Sequence, residues 1–205
     1  MINRIFFFFI SAFLSQGAYS QSDWVLKKEK NGIFVYELKK DTAAFNAIKV
    51  EAELIGKVED LVFLVMDVEH HHEWAYGTRS ATVLKRISET EIIFYKEIKS
   101  PGPVSDRDMV IRLKVLPGPE VKSARIESVA LPAYVPPKED LVRVPFSNET
   151  WVITTVAGQK IKISYYLKID PGGSLPPLLV NLFVSRGPME TFEKLKELLK
   201  KRSGG

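Results

Sequence analysis

Three consecutive histidines, His70, His71 and His72, and the triplet Asp106-Arg107-Asp108 are the densest groupings of chemically capable side chains in this sequence. Neighbouring side chains diverge by about 100° on a helix and about 180° on a strand, so three adjacent imidazoles cannot converge on one ion. The chain has no cysteine to complete such a site. That absence also removes a catalytic thiol, a zinc–thiolate site, disulfides and a lipid-anchoring cysteine. The histidines read as a solvated helix end, and no metal is expected. An arginine between two aspartates reads as a structural ion pair at a strand start. A polar pair inside an apolar interior, Glu97 with Tyr95 or Tyr165, is the arrangement an enzyme would need. No serine elbow, phosphate-cradling loop or dinucleotide fingerprint is present. The sequence therefore predicts neither an enzyme nor a cofactor.

Charge excludes further classes. The 205 residues carry a formal charge of +4, with acidic and basic side chains interspersed. Lys200-Lys201-Arg202 is the one basic run, placed where it complements a helix dipole. Without a basic stripe interleaved with aromatics, no nucleic acid is expected as a partner. Transient contact with an anionic membrane surface is compatible with the excess of positive charge. The chain begins with a short positive segment ending at Arg4, then an apolar run from Ile5 to Leu14, then small residues at Ala18 and Ser20. Ten apolar residues rise about 15 Å as a helix, half the ~30 Å hydrocarbon core. Residues 1–20 thus read as a signal peptide, with cleavage after Ser20, and 21–205 as one domain. The mature protein is expected to be exported, periplasmic or secreted, and a monomer.

Hydrophobic periodicity supplies the elements that would position these groups. Asn31-Gly32 is a turn signal. Strands are predicted over Ile33–Leu38 and Phe45–Ile55, the second with Ile48, Val50, Ala52 and Leu54 on one face and Lys49, Glu51 and Glu53 on the other. Val58–Val68 carries a helical stripe. Strands return over Ser80–Arg86, Glu91–Ile98, Asp108–Val115 and Ser123–Ala130. Leu131–Pro145, rich in proline and charge, reads as a loop or irregular stretch and the cheapest docking surface for a partner. Two further strands, Glu149–Val156 and Lys160–Ile169, flank a short turn. From Leu175 to Arg202 the pattern is helical, interrupted at Arg186-Gly-Pro188. Strands, one short helix, more strands and a long terminal helix predict an α+β domain with an antiparallel sheet closed by that helix.

Three segments, in order, resemble the START lipid-transfer family: Val58–Asp67 through His72-Glu-Trp74, Pro103-Val-Ser-Asp-Arg-Asp-Met-Val110, and Asp170-Pro-Gly-Gly-Ser-Leu-Pro-Pro-Leu-Leu-Val-Asn181. The resemblance spans roughly residues 24–200. It implies the helix-grip fold, a curved antiparallel sheet around a long C-terminal helix, with one lipid or sterol-like molecule held between them. A carrier of this kind must leave a cavity on the order of several hundred Å³. The alternative on the same fold is a cyclase, aromatase or hydrolase acting on a hydrophobic substrate.

The expected cavity residues are Trp74, at the core or rim; Ile93, Tyr95 and Glu97 on one strand; Met109, Ile111 and Leu113 on the next; and Leu178, Leu179, Leu182 and Phe183 on the helix. Glu97 resembles a family position whose carboxylate can point inside. Buried without a cation, it would be neutral and suit a sterol or fatty alcohol. The opposite reading puts Ile92, Phe94 and Ile98 inside and leaves Glu97 in water. Some family members carry a tunnel-lining base six places after the motif arginine. That place, counted from Arg107, holds Leu113 here, so a fixed internal cation is not expected.

Overall fold

The alternation read along the strands is matched by alternation in burial. In the computed structural model, which describes residues 23–38, 46–100, 102, 104–175 and 186–203, Ile48, Val50, Ala52 and Leu54 of β3 (Asn46–Ile55) are all buried. Glu53 between them is exposed. β3 pairs on one side with β2 (Ile33–Leu38) and on the other with β10 (Lys160–Asp170). Ile33 and Val35 of β2 and Ile161 and Ile163 of β10 continue the same buried face, because cross-strand partners share a side of the sheet.

The remaining strands are β1 (Trp24–Lys30), β4 (Thr78–Ser88), β5 (Glu91–Ile98), β6 (Arg107–Pro117), β7 (Ser123–Ala130), β8 (Val142–Arg143) and β9 (Phe146–Val156). They form one ten-stranded sheet in the order β1-β2-β3-β10-β9-β7-β6-β5-β4, with β8 pairing off this path, parallel to β6. All other pairings are antiparallel. Between β3 and β4 lie α1 (Val58–Met66) and a 3-10 turn, Val68–Glu73. The chain ends in α2 (Gly187–Ser203), whose buried stripe is Met189, Phe192, Leu195 and Leu199. The α+β helix-grip architecture expected from the sequence is the one found.

Three features differ from expectation. β1 precedes the Asn31-Gly32 turn and was not anticipated. Its Lys27–Lys30 run is exposed along the sheet edge, where charge protects an open edge rather than marking a loop. The Leu131–Pro145 stretch is not all loop, since Val142 and Arg143 form β8. Leu175 is not helical, and the helix stripe Leu178, Leu179, Leu182 and Phe183 lies outside the described residues.

Phe192 seats α2 on the sheet, its ring stacked 5.5 Å from Trp151 and tilted against Tyr165 at 5.8 Å. The start of α2 is pinned by close approach. A Cβ built on Gly187 would stand 2.9 Å from the Tyr76 ring, and the Tyr76 backbone N–H donates to Thr191 Oγ1 at 3.0 Å.

On the sheet's outer side, Arg143 clamps the 131–145 segment to β6. Its Nε and one terminal nitrogen each donate to Asp108 at 2.8 Å. Its other terminal nitrogen donates to the carbonyls of Pro132 and Val135. Burial pushes the Asp108 carboxyl up, but the Arg143 fork and the Tyr95 hydroxyl outweigh it, so its pKa lies below the ordinary carboxylate value. Asp106 pairs instead with Arg79 at 2.6 Å. The expected Asp–Arg–Asp ion pair is therefore two separate pairs, and Arg107 belongs to neither.

Because Asp108 has no solvent exposure, Asp108→Asn leaves Arg143 half-buried without its counter-charge and should cost about 3 kcal/mol in chemical denaturation. Lys138→Ala, which removes an exposed partner of Glu97, should cost less than about 1 kcal/mol.

Candidate ligand cavity

Between the inner face of the sheet and α2 lies a cavity of about 190 Å³. β6 contributes Met109, Ile111 and Leu113; β5 contributes Phe94, Lys96 and Ile98; β9 and β10 contribute Glu149, Trp151, Tyr165 and Leu167. Trp74 and His71 close it from the 3-10 segment, and Phe192 from α2. The wall is mostly apolar with a few convergent polar groups, the usual composition of a small-molecule site.

Of the expected residues, Trp74, Met109, Ile111 and Leu113 are in this wall and buried. Ile93, Tyr95 and Glu97 do not line it, and the pairing of β5 with β6 explains why. Met109 stands opposite Lys96, Ile111 opposite Phe94 and Leu113 opposite Ile92. Opposed residues share a face, so Met109 inside requires Lys96 inside and Glu97 outside. Glu97 meets Lys138 at 2.6 Å on the outer side. The Tyr95 hydroxyl donates to Asp108 at 3.0 Å. Ile93 lies between its cross-strand neighbours Lys85 and Arg112.

The cavity does hold cations, against expectation, and they come from Lys96 on β5 and Arg107 at the start of β6 rather than from the Leu113 position. Lys96 and Glu149 both face the interior. Burial pulls the Lys96 ammonium below its ordinary pKa, with Glu149 opposing. Burial pushes the Glu149 carboxyl above its ordinary value, opposed by the Lys96 charge and by donors from Tyr165 and Trp151. Burial also drives the Tyr165 phenol well above the usual range, with the Glu149 charge adding to the effect. Each charge makes the other tolerable in low dielectric. Among the described residues, no side chain closes onto Lys96 as a hydrogen bond or contact ion pair.

Arg107 also turns inward. One terminal nitrogen donates to Ser100 Oγ at 3.1 Å, the other to the Gly172 carbonyl at 3.4 Å. Its Nε is buried without a partner among the described residues. It ties the start of β6 to the Gly172-Gly173 pair, where both glycines hold positive φ (69° and 64°), a conformation that side chains disfavour.

The histidine run splits. His70 and His72 are exposed, whereas His71 is 4% exposed and packs edge-on against Trp74 and Phe94. His71 Nε2 lies 2.9 Å from the Val65 carbonyl. A carbonyl only accepts, so Nε2 carries the proton. Burial first, then the Lys96 charge, lower its pKa to about 3, with the Val65 bond opposing. His71 is therefore neutral at physiological pH. An unfolded chain binds the extra proton from about pH 6.5 downward. Stability from this residue is fully present above that pH and is lost as pH falls toward 3. His71→Gln, which keeps a donor for Val65, should flatten the stability–pH curve between about 6.5 and 3 by up to about 1.4 kcal/mol per pH unit. Denaturation midpoints measured across that window check it.

Comparison with known proteins agrees with this geometry. An uncharacterized protein of Pseudomonas aeruginosa is 26% identical, over 88% of this chain and 88% of its own. The phosphatidylcholine transfer protein of Rattus norvegicus is 25% identical, over 85% of this chain and 82% of its own. The crystal structure of a STAR-related lipid transfer protein fragment from Xanthomonas axonopodis superposes with a TM-score of 0.79 at 26% identity, covering 87% of this chain and 99% of that one. Human StAR-related lipid transfer protein 5, at 20% identity and a TM-score of 0.75 over 90% of this chain and 89% of its own, shares the fold. The START domain model matches residues 9–203, and the chain belongs to the START domain family.

Proposed function

We propose that this chain binds a single amphiphilic lipid in the cavity and carries it between membranes, without catalysing a reaction. One observation carries the reading: the cavity is apolar along β6 and α2 but places a lysine and a carboxylate inside without closing them into a contact pair. A head group that reaches both would replace the water each charge has lost, while a tail lies along Met109, Ile111 and Leu113. Burying that tail contributes about 0.8 kcal/mol per methylene. A zwitterionic head fits the two charges, and the named relatives include phosphatidylcholine transfer proteins.

The volume of about 190 Å³ is below the ~300–1,000 Å³ of typical ligand sites. Loading therefore requires the walls to part, and the Gly172-Gly173 pair is the proposed hinge. The runner-up is an enzyme on the same fold, and the Glu149–Tyr165 pair in the cavity is what favours it. The Tyr95–Glu97 pair is on the wrong face. No described helix is long and apolar enough to cross a membrane, and we place the carrier outside the cytoplasm, acting as a monomer at membrane surfaces. Support for export is the Arg4, Ile5–Leu14, Ala18–Ser20 pattern. The family match begins at residue 9, inside that segment, so the leader rests on its own composition.

Fluorescent phosphatidylcholine exchange between vesicles tests the proposal. The parent protein should accelerate exchange, and Leu113→Trp, which fills the cavity, should abolish it while the chain stays folded. The double variant Lys96→Met/Glu149→Gln should match or exceed the parent in stability, by as much as about 1–4 kcal/mol. Its lipid affinity should fall at least about tenfold. No exchange by the parent, or full exchange by Leu113→Trp, contradicts the carrier. Chemical turnover of a hydrophobic ester that is lost in Glu149→Gln supports the enzyme instead.

A further inference from the structure

We propose that Lys96 is a covalent attachment site, whose amine condenses reversibly with a hydrophobic aldehyde in the cavity to form an imine, with Glu149 as counter-ion. The proposal rests on the cavity being a lipid site and goes beyond it by assigning a chemical class of guest and a bond.

Position comes first. Among the described residues, Lys96 is the one lysine in the cavity wall. It stands opposite Met109 on β6, and Trp74, Phe94 and Trp151 share that wall. An apolar chain entering the cavity thus brings its terminal carbonyl to an amine instead of to water. The amine is also uncommitted. Among the described residues, no hydrogen bond or contact ion pair holds it, so attack breaks no bond to them.

Protonation follows from the same surroundings. Burial lowers the Lys96 pKa, with Glu149 opposing, which raises the share of neutral, nucleophilic amine available for attack. His71 is neutral beside it and adds no competing imidazolium. Burial likewise raises the Glu149 pKa, with the Lys96 charge opposing, which eases proton exchange at that carboxyl.

The Lys96 nitrogen attacks the aldehyde carbon, and a C–N bond forms as the carbonyl π bond becomes a hydroxyl. Glu149 gives its proton to that hydroxyl, which leaves as water. The resulting iminium faces the Glu149 carboxylate. Proton return gives the net reaction, aldehyde plus amine to imine plus water, with nothing oxidised or reduced. Hydrolysis is the reverse and releases the guest. An alcohol of the same chain length fills the same space with no bond.

The test uses the purified chain with dodecanal or dodecan-1-ol, followed by cyanoborohydride to trap any imine as a secondary amine. Intact mass and peptide mapping locate the adduct, and displacement of a fluorescent fatty probe measures occupancy by either guest. One dodecyl adduct per chain is expected, mapped to Lys96. Lys96→Arg should lose that adduct and cut total trapping at least about tenfold. Glu149→Gln should slow trapping about tenfold or more. If dodecanol displaces the probe but dodecanal leaves Lys96 unmodified, or labels only scattered surface lysines, the imine is overturned and the cavity reading stands. If neither guest displaces the probe, both fail. Should a variant not fold, the mapping on the parent chain decides alone.

Discussion

Two opposite charges held in an apolar enclosure without touching is the constraint from which the rest of this structure takes its meaning. Removing an ammonium or a carboxylate from water costs several kcal/mol even after relaxation, and a contact ion pair is the usual remedy. Here Lys96 on β5 and Glu149 on β9 face the same space, each moderating the other's shift, without that contact. Tyr165 and Trp151 turn donors toward the carboxylate. A pair held apart in this way gives up stability in the empty protein and keeps its polar capacity for a guest. Sites that sacrifice stability in this manner are commonly functional ones.

The remainder of the fold offsets that cost at a distance. The outer face of β6 carries a two-pronged buried pairing, with Asp108 accepting from both ends of the Arg143 fork. That clamp holds the 131–145 segment and leaves the inner face of the same strand free to be apolar. Consecutive residues on a strand point to opposite sides, so one strand serves both purposes: Asp108 outside for rigidity, Met109 inside for the cavity. Arg107, one residue earlier, reaches inward to the Gly172 carbonyl. The start of β6 is thereby fastened to Gly172, just past the end of β10.

Much of this was legible in the residues, but unevenly. The β3 pattern of Ile48, Val50, Ala52 and Leu54 could be assigned to a face without coordinates, because charge sits at every alternate position. β5 could not. Ile92, Ile93, Phe94 and Tyr95 are apolar on both faces, so period alone does not choose between Lys96 and Glu97 as the inward residue. The information was in the partner strand: once Met109, Ile111 and Leu113 are inside, the register decides β5. That register depends on how the 99–106 connection folds, a non-local property. His71 was misjudged for a related reason. Three adjacent histidines diverge, as expected, but divergence on a tight turn sends one of them into the core. Glu149 sat near the predicted start of its strand, and no local feature marks a strand-end carboxylate as interior. β1 escaped notice because its charges mimic a loop.

Carriage by this protein turns on the guest's head group lying between Lys96 and Glu149. A crystal structure of the lipid-loaded protein measures that directly. It should show one lipid between the sheet and α2, its polar atoms within hydrogen-bond distance of Lys96 and Glu149 and its chain along Met109, Ile111 and Leu113. A lipid seated on the outer face, or a loaded cavity in which Lys96 and Glu149 have joined each other and left the head group in solvent, would contradict it.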